Sequence, residues 1–354
     1  MRLIRPLYVA RLFALLLAFG VFGPVSPVQA ATARKTTTTA RRVASKPTYS
    51  AAASRARKAR LARARAAARA REQARLAALQ EAMRPRFKTD ANGALVPDIR
   101  AAAAIIFNPE TGQVLWEENA QDKRSIASIT KVMTAVVFLE DNPDLTQEIT
   151  IERSDVYAAS TTYLRNNDRI TLDEVLHLTL IASDNAAARA LARVSHGGTA
   201  SFIERMNEKA IELGLENTSF IDPSGLNPAN VSSAYDLSRL ISFASANDTI
   251  APIMRTASYT AHTSRRAIVI RNTNHLVRGG EVDVLGGKTG FISKAGYCLA
   301  TLLRLPQSNH QVAVVVLGAG SNNGRFWETR HLFNWLADKA ADLFGKENSQ
   351  QDQQ

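Results

Sequence analysis

The sequence predicts an α/β (α+β) protein in which helices flank an antiparallel sheet and some of them form a helical subdomain. Two short apolar segments on either side of residues 109–112 (Pro-Glu-Thr-Gly) predict a hairpin. Segments with helical apolar spacing follow, and three strand-like segments and a last helix complete the pattern. Because strands occur both before and after the helices, we expect one domain with one sheet.

Residues 1–30 have the parts of a secretory signal peptide. Three arginines form a basic beginning, residues 12–22 an apolar core, and residues 28–30 (Val-Gln-Ala) a small-residue cleavage site. The apolar run of about 11 residues is shorter than the roughly 20 that a membrane-spanning helix needs. We therefore expect cleavage near Ala30, export to the periplasm, and a mature chain without a transmembrane segment.

The segment 31–88 is a basic, Ala/Arg-rich, low-complexity linker. It carries 17 Lys and Arg against two Glu, whereas residues 89–354 carry 24 basic and 30 acidic residues. Its Thr-rich beginning has the composition of a disordered chain, and its part at about 52–83 has high helix propensity. The bases would point all round such a helix, so insertion into a membrane is not predicted. The alternatives are a solvated linker and attraction to an anionic envelope surface; export argues against nucleic acid.

Residues 89–345 are predicted to form the globular domain, and residues 346–354 a polar tail that frays. Helices are expected directly after Ser128, at 171–181 with Thr171 as the cap, and at 186–194, 200–213, 234–246 and 325–344. Later strands are expected within 284–291, 296–305 and 311–320. The single cysteine, Cys298, excludes an intramolecular disulfide and a multi-cysteine metal site, and we expect it to fill the core.

Ser128 and Lys131 stand three residues apart at the start of a helical pattern. Residues at this spacing share one face of a helix, so the Ser128 hydroxyl and the Lys131 amine can meet. A serine beside an amine that accepts its proton is one way to build a nucleophile without histidine. By itself, however, this spacing is more often a serine cap and a solvated lysine at an exposed helix start.

Two further motifs give this pair a context. Ser183-Asp184-Asn185 lies in a break between two predicted helices, and Lys288-Thr289-Gly290 lies on a predicted strand. The order S-x-x-K, S-x-N and K-T-G, on helix, loop and strand in turn, is typical of the active-site serine penicillin-recognising enzymes.

The strings around these motifs resemble the low-molecular-mass penicillin-binding proteins: RSIASITKVMTA, DPSGLNPANVSSAYDLSRL, RNTNHLV and GGKTGFISKAGYCL. Within that group the chain is similar to the D-alanyl-D-alanine endopeptidases and to the related carboxypeptidases. The resemblance covers roughly residues 98–343 and implies a β-lactamase/transpeptidase-like fold without metal or cofactor. Only 64 residues follow Gly290, too few for the β-rich domain and anchor of many carboxypeptidases. This favours the endopeptidase-like branch.

The resemblance implies a role for each motif residue. Ser128 would attack a D-Ala carbonyl, and Lys131 would take its proton, because burial and the charge of Lys288 lower the pKa of this amine. Ser183 would pass a proton to the leaving amine, flanked by the two lysines. Asn185 would bind the peptide amide on the acyl side and hold Lys131.

The strand motif is expected to bind the substrate. Thr289 would offer a hydroxyl, and Gly290 would let the substrate lie close to the backbone as an added strand. The backbone N–H groups of Ser128 and Phe291 would form the oxyanion hole. Arg325 matches an arginine that some carboxypeptidase relatives use for the substrate carboxylate, although an exposed arginine at a helix start explains the dipeptide at least as well.

Other enzyme classes fit the sequence less well. A Ser-His-Asp hydrolase would need an elbow such as G-x-S-x-G, and a zinc peptidase a cluster such as H-E-x-x-H; the sequence has neither. A class A β-lactamase shares the three motifs but needs a glutamate that activates the deacylating water, and neither Glu204 nor Glu212 lies in the expected context. We therefore expect β-lactams to acylate Ser128 and to leave slowly.

The sequence thus predicts an exported serine DD-peptidase of peptidoglycan. Cleavage of D-Ala–diaminopimelate cross-links between peptide stems is the first expectation, and removal of terminal D-Ala from pentapeptide stems is the alternative. A β-lactamase, or an inactive envelope scaffold that works through its basic segment, is less favoured. The expected partners are peptidoglycan stems and covalent β-lactams.

Overall fold

The computed structural model describes residues 51–306 and 309–351, with side chains up to residue 339. The predicted signal peptide, residues 1–30, and the Thr-rich beginning of the basic segment lie outside the described residues. The chain divides into two units, residues 1–68 and residues 69–354. In the first unit the described residues, 51–68, are helical and exposed throughout.

Ten α-helices lie within the described residues. They are α1 (Ala51–Met83), α2 (Thr130–Glu140), α3 (Arg153–Val156), α4 (Leu172–Ile181), α5 (Asn185–Val194), α6 (Gly198–Glu212), α7 (Ala234–Ser245), α8 (Ile250–Arg255), α9 (His275–Gly279) and α10 (Asn322–Gln351). A 3-10 helical turn, Ala127–Ile129, comes directly before α2. Helices α4 to α7 begin and end within one or two residues of their predicted bounds.

The strands include all those predicted and several more. They are β1 (Phe87–Thr89), β2 (Leu95–Pro97), β3 (Ala103–Phe107), β4 (Val114–Glu118), β5 (Arg124–Ser125), β6 (Glu148–Thr150), β7 (Arg169–Thr171), β8 (Val231–Ser232), β9 (Ser258–His262), β10 (Ala267–Arg271), β11 (Asp283–Ile292), β12 (Gly296–Arg304) and β13 (Gln311–Ala319). Five of them form one sheet in the order β11-β12-β13-β3-β4. Every pair in this sheet is antiparallel, as predicted.

The main sheet is covered on both faces. In β3, Ala103, Ile105 and Phe107 pack into a core that also contains residues of α2 and α4 to α8. The intervening residues, Ala104 and Ile106, pack into a second core with α10. Successive side chains of a strand point to opposite faces, so a strand buried on both faces is apolar at every position. The result is three layers, with the helical subdomain on one face and α10 on the other.

Helix α2 lies at the centre of the helical subdomain, in contact with α4, α5, α6 and α7. Its residues from Thr130 to Phe138 are all buried. Helix α4, which packs on α2, begins where the sequence predicts, because Thr171 Oγ1 accepts from the Glu174 N–H at 3.3 Å. Such a cap stabilises a helix by about 1 kcal/mol.

The second unit takes in the end of the basic segment, which the sequence assigns to the linker. Arg100 donates to the Ala82 carbonyl oxygen at 2.7 Å, and Lys88 lies 2.6 Å from the Glu118 carboxylate. The ring of Phe87 meets the edge of His331 in α10, with 5.1 Å between the ring centres. The packed unit therefore includes residues before the predicted boundary at 89.

Two predictions of secondary structure are corrected. The hairpin β9–β10 begins at Ser258, whereas the sequence pattern turns strand-like only after Ser264; in β9 only Ala261 is buried, so the apolar signal is weak. Helix α10 continues to Gln351, so residues 346–351 are helical and not a frayed tail. No described helix is both long enough and apolar enough to cross a membrane.

Candidate active site

Ser128 lies in the 3-10 turn that leads into α2, one turn before Lys131. The preceding residue, Ala127, has a φ of +49°, in the left-handed region that residues other than glycine seldom adopt. Such a conformation persists only where the surrounding structure holds it. The candidate nucleophile therefore sits on a strained turn.

Lys131 is fully buried, and its amine has three partners. Nζ lies 2.9 Å from Ser128 Oγ and 2.6 Å from Asn185 Oδ1, and it also donates to the Ser224 carbonyl oxygen. Both carbonyl oxygens can only accept, so each takes one N–H of the lysine. A neutral amine with two hydrogens so occupied directs its lone pair at Ser128 Oγ. The geometry thus orients Lys131 as a base for the hydroxyl.

Burial lowers the pKa of Lys131 to about 7, because the ammonium form loses its hydration. The carboxylates of Asp184 and Asp222 act in the opposite direction and raise this pKa, whereas the cation of Arg189 lowers it. A general base works best when its pKa lies near the working pH. Lys131 therefore has the lowered pKa that its predicted role as the base requires.

A loop at residues 222–227, to which the sequence assigned no role, fixes one partner of Lys131. Asp222 Oδ1 accepts from Ser224 N, Ser224 Oγ and Gly225 N at 2.7, 2.6 and 2.9 Å. Asp222 Oδ2 accepts from Asn227 N at 2.7 Å. These bonds hold the Ser224 carbonyl oxygen in place against the lysine amine.

Gly225 in this loop packs against the peptide that joins Ala127 and Ser128. Its φ is +80°, and a Cβ at this position would lie 2.0 Å from Ala127 O and 2.9 Å from Ser128 N. Both the conformation and the space therefore require glycine. Thr134 Oγ1 also donates to Pro223 O at 2.6 Å, so the loop is bonded to α2 as well as packed on the turn.

The predicted Ser183–Asn185 loop joins α4 to α5. Ser183 has a φ of +59° and faces the same cleft as Ser128. Asp184 is buried and caps α5, with Oδ1 accepting from Ala187 N at 3.0 Å and Oδ2 from Tyr163 N at 2.6 Å. Burial raises the pKa of Asp184. The carboxyl thus ties the 160s loop to the start of α5.

The side chain of Asn185 is engaged on both sides. Its Oδ1 accepts from Lys131, as the sequence predicts, and its Nδ2 donates to Ala159 O at 2.7 Å. Ser183 Oγ makes no hydrogen bond to Lys131 or Lys288 in the described part of the chain. The structure therefore brings Ser183 to the cleft, and its proton-transfer role stays a prediction.

Strand β11, at the edge of the main sheet, forms the opposite side of the site. Lys288 is buried and donates to Thr289 O at 3.1 Å; burial lowers its pKa well below the usual value, and the charges of Lys131 and Arg325 lower it further. Thr289 Oγ1 donates to Thr273 Oγ1 at 2.7 Å, a partner that the sequence did not suggest. The Thr289 hydroxyl can therefore donate to a substrate only after this pair rearranges.

Gly290 is required by packing as well as by substrate approach. A Cβ on Gly290 would lie 2.5 Å from Ile126 O and 3.3 Å from Ala127 Cβ. Strand β11 can therefore lie directly against the turn that carries Ser128. The next residue, Phe291, is 49% exposed and stacks on Tyr297 with 4.2 Å between the ring centres.

Arg325 is 6% exposed, so the interpretation as an exposed arginine at a helix start is wrong. Its Nη1 donates to Gly290 O at 2.9 Å and to Cys298 O at 3.1 Å. Burial lowers its pKa to about 10, which leaves the guanidinium charged at neutral pH.

Cys298 itself is buried, and burial raises its pKa to about 11, in keeping with a role in the core.

These residues surround a cleft of about 540 Å³. Its walls are Ser128, Ser160, Thr161, Ala182, Ser183, Asn185, Leu226, Thr273, Thr289, Gly290, Phe291, Ile292, Ser293 and Arg325. Lys131 and Lys288 are buried next to it. Within the described residues, no group of three or more His, Cys, Asp and Glu is arranged to hold a metal ion. The arrangement can deprotonate a serine hydroxyl in a cleft lined by strand edge and loops.

Comparison with known proteins agrees with this geometry. The sequence profile of the peptidase S11 family, described as D-alanyl-D-alanine carboxypeptidase, matches residues 90–321. The chain belongs to the peptidase S11 family of DD-peptidases. It is therefore a serine-type D-Ala-D-Ala peptidase, a hydrolase of the penicillin-binding group.

Individual relatives carry two activities in their names. The chain is 34% identical to the D-alanyl-D-alanine endopeptidase of Escherichia coli over 68% of this chain and 78% of the relative. It is 32% identical to the D-alanyl-D-alanine carboxypeptidase DacC of the same organism over 68% of this chain and 62% of the relative. The crystal structure of the Streptomyces K15 DD-transpeptidase superposes with a TM-score of 0.64 at 32% identity, over 68% of this chain and 97% of that one. This likeness confirms the predicted fold.

The site contains groups that sequence reasoning missed. The Ser224 carbonyl oxygen, the Asp222 carboxylate and Gly225 all lie in a string, DPSGLN, that was noted only as a resemblance. Its run of turn-forming residues is a signal that could have marked a tight loop. Thr273, in RNTNHLV, gave no comparable signal, because no sequence pattern marks a threonine whose hydroxyl bonds to Thr289.

We predict that Gly225→Ala slows acylation by a fluorescent penicillin roughly 10- to 100-fold, because the added methyl group displaces the Ala127–Ser128 peptide. Labelling rates of the two proteins measure the effect. Gly93→Ala is the matched control, since Gly93 has a similar φ of +82° but nothing within 4 Å of the added Cβ. Equal rates for Gly225→Ala and wild type would contradict the packing argument.

The pKa of Lys131 predicts the pH dependence of acylation. Below about pH 7 the amine is protonated and cannot accept a proton, so the labelling rate should fall as the pH falls through about 7. Arg189→Met removes a cation that lowers this pKa, so the midpoint should move to higher pH. Arg205→Met, at an ion pair with Asp141, should leave it unchanged. A wild-type midpoint near the ordinary lysine value would contradict the lowering of this pKa by burial.

Proposed function

We propose that the protein is a peptidoglycan endopeptidase that hydrolyses D-Ala–diaminopimelate cross-links through an acyl-enzyme on Ser128. The observation that carries this proposal is the buried amine of Lys131, 2.9 Å from Ser128 Oγ and with two hydrogens on carbonyl oxygens. Removal of terminal D-Ala from pentapeptide stems is the second candidate, because carboxypeptidases are also among the relatives.

The proposed reaction has two halves. Lys131 takes the Ser128 proton while Ser128 Oγ attacks the D-Ala carbonyl carbon, and the N–H groups of Ser128 and Phe291 bind the oxyanion. Ser183 passes a proton to the leaving amine as the peptide bond breaks. Lys131 then gives its proton to Ser183, which restores both groups. In the second half water hydrolyses the ester, so that its OH joins the acyl carbon and its remaining proton returns to Ser128. A β-lactam would enter the same first half and remain as a slowly hydrolysed ester.

The remaining site residues position the substrate in this proposal. Thr289 binds it through the hydroxyl that Thr273 now holds, and the buried Lys288 donates to the Thr289 carbonyl oxygen. The substrate lies along the edge strand β11 at Gly290, with Asn185 on the opposite wall. An extended peptide added to a free sheet edge is a common mode of peptide recognition.

The hydrogen bonds of Arg325 bear on the choice between the endopeptidase and the carboxypeptidase. Both hydrogens of Nη1 are bonded to main-chain carbonyl oxygens, and Nη2 is bonded to Asn322. Three of the five N–H groups are thus held by the protein, whereas Nε–H, which has no partner within the described residues, and one hydrogen of Nη2 remain for a terminal carboxylate. Two relatives, at 34% and 35% identity, are named D-alanyl-D-alanine endopeptidase and support the first candidate, whereas another at 35% identity is named D-alanyl-D-alanine carboxypeptidase.

Two measurements test the proposed function. Purified protein should be labelled covalently by a fluorescent penicillin, Ser128→Ala should not be, and Ser293→Ala, at another serine of the cleft, should be labelled like wild type. In purified murein, mass spectrometry should then find cross-linked dimers converted to monomers. Shortening of pentapeptides with dimers intact would establish the carboxypeptidase, and labelling that persists in Ser128→Ala would exclude the proposed nucleophile.

We also propose that the protein acts in the periplasm, after removal of residues 1–30, and that residues 31–88 attach it to an anionic surface of the envelope. The described residues 51–68 contain six bases and no acid, and all are exposed. Bases on every side of a helix attract polyanions but provide no apolar face for insertion. The support is therefore electrostatic.

Vesicles of phosphatidylglycerol and of phosphatidylcholine test this attachment. We expect the protein to sediment with the anionic vesicles only, and to be released as added salt screens the charges. Replacing the six bases at 55, 57, 58, 60, 63 and 65 by glutamine should weaken sedimentation and leave penicillin labelling unchanged. Equal binding to neutral vesicles, or undiminished binding of the glutamine variant, would contradict the proposal.

A further inference from the structure

Arg325 occupies a place that helix stability does not explain. It lies in the first turn of α10, where the helix macrodipole disfavours a cation. It is 6% exposed, and no salt bridge to it occurs within the described residues. A buried cation without a carboxylate is costly unless polar groups of the protein surround it. Its partners therefore indicate what it does.

The main partner of Arg325 is one particular peptide unit. Nη1 donates to the carbonyl oxygen of Gly290 at 2.9 Å. The same peptide unit supplies the N–H of Phe291, which the proposed mechanism uses in the oxyanion hole. The described chain has no cis peptide bond, and in a trans peptide the C=O and the N–H point in opposite directions. Arg325 thus holds this peptide from the side away from the N–H.

The opposite side of this peptide faces the nucleophile. Gly290 packs so closely on the turn before Ser128 that a Cβ would lie 2.5 Å from Ile126 O. Gly290 and Phe291 both line the cleft with Ser128. A guanidinium on the carbonyl oxygen also polarises the peptide, because linked hydrogen bonds strengthen one another. The N–H becomes a better donor in a fixed direction.

We infer that Arg325 is a positioning residue for the oxyanion hole, which it orients and polarises through the Gly290–Phe291 peptide. This inference rests on the proposed function. A second contact acts on the same residue: the guanidinium lies 5.6 Å from the centre of the Tyr297 ring, on which Phe291 stacks. Arg325 therefore controls Phe291 through its backbone and through its side chain. Direct binding of a substrate carboxylate is the competing role.

The two roles predict different results in Arg325→Met. The test uses two D-Ala ester substrates that differ only beyond the scissile bond, one ending in a carboxylate and one in a neutral amide. Positioning of the oxyanion hole predicts that acylation slows equally for both, by about 10-fold or more but less than the roughly 10²–10³-fold that loss of a donor costs. Carboxylate binding predicts a loss for the charged substrate alone.

Infrared spectroscopy supplies a readout that a merely structural role would not move. The ester carbonyl of a penicilloyl-enzyme labelled with carbon-13 absorbs at lower frequency when the oxyanion hole donates strongly. We expect this band to move to higher frequency in Arg325→Met and to an intermediate position in Arg325→Lys, which keeps the charge. Arg330→Met, at a surface ion pair of the same helix, is the matched control and should leave band and rates unchanged.

Three outcomes separate the possibilities. An unchanged band with a loss confined to the charged substrate overturns the inference. Absence of any acylation in the wild type overturns the proposed function instead. If circular dichroism shows that Arg325→Met does not fold, the same rates and the same infrared band are measured for Arg325→Lys. Arg325 also lowers the pKa of Lys288, so its replacement can shift the pH profile. Acylation rates of the variants are therefore compared at the pH where each rate reaches its maximum.

Discussion

The buried amine of Lys131 is the constraint on which the rest of the site depends. An amine in the interior of a protein loses its hydration, and the three oxygens around Nζ replace it. They come from the 3-10 turn, the start of α5 and the loop at 222–227. Because the lysine must be dry to act as a base and bonded to stay buried, the fold has to bring these segments together around α2.

The same requirement explains why several groups near the site carry no direct chemistry. Asp222 holds the loop that presents the Ser224 carbonyl oxygen, and Asp184 ties the start of α5 to the 160s loop. Both carboxylates also raise the pKa of Lys131, which limits the effect of burial. Gly225 and Gly290 give the backbone close contact with the strained turn from two separate segments. Asp184 and Asp222 therefore both position the segments around Lys131 and adjust its pKa.

The layers of the fold follow from periodicity, which is local and could be predicted. Helix α4 begins at its Thr171 cap, and β3 and β4 form the hairpin that two apolar segments on either side of a turn indicate. The hairpin β9–β10 was not predicted, because it buries few side chains and its sequence resembles a polar loop. The burial of Arg325 was also missed, since an arginine in a first helical turn is ordinarily exposed.

By itself the sequence determined the order of the main helices and strands, the three motifs and the identity of Ser128 and Lys131 as a candidate pair. These features depend on residue type and on spacing along the chain, which a sequence contains. Only the tertiary structure decided that Lys131 is fully buried, that the Ser224 carbonyl oxygen meets its amine, and that Arg325 bonds to Gly290. Such contacts join residues that lie 35 to 93 positions apart. Their geometry, and the pKa that follows from it, arises when packing removes water from the site.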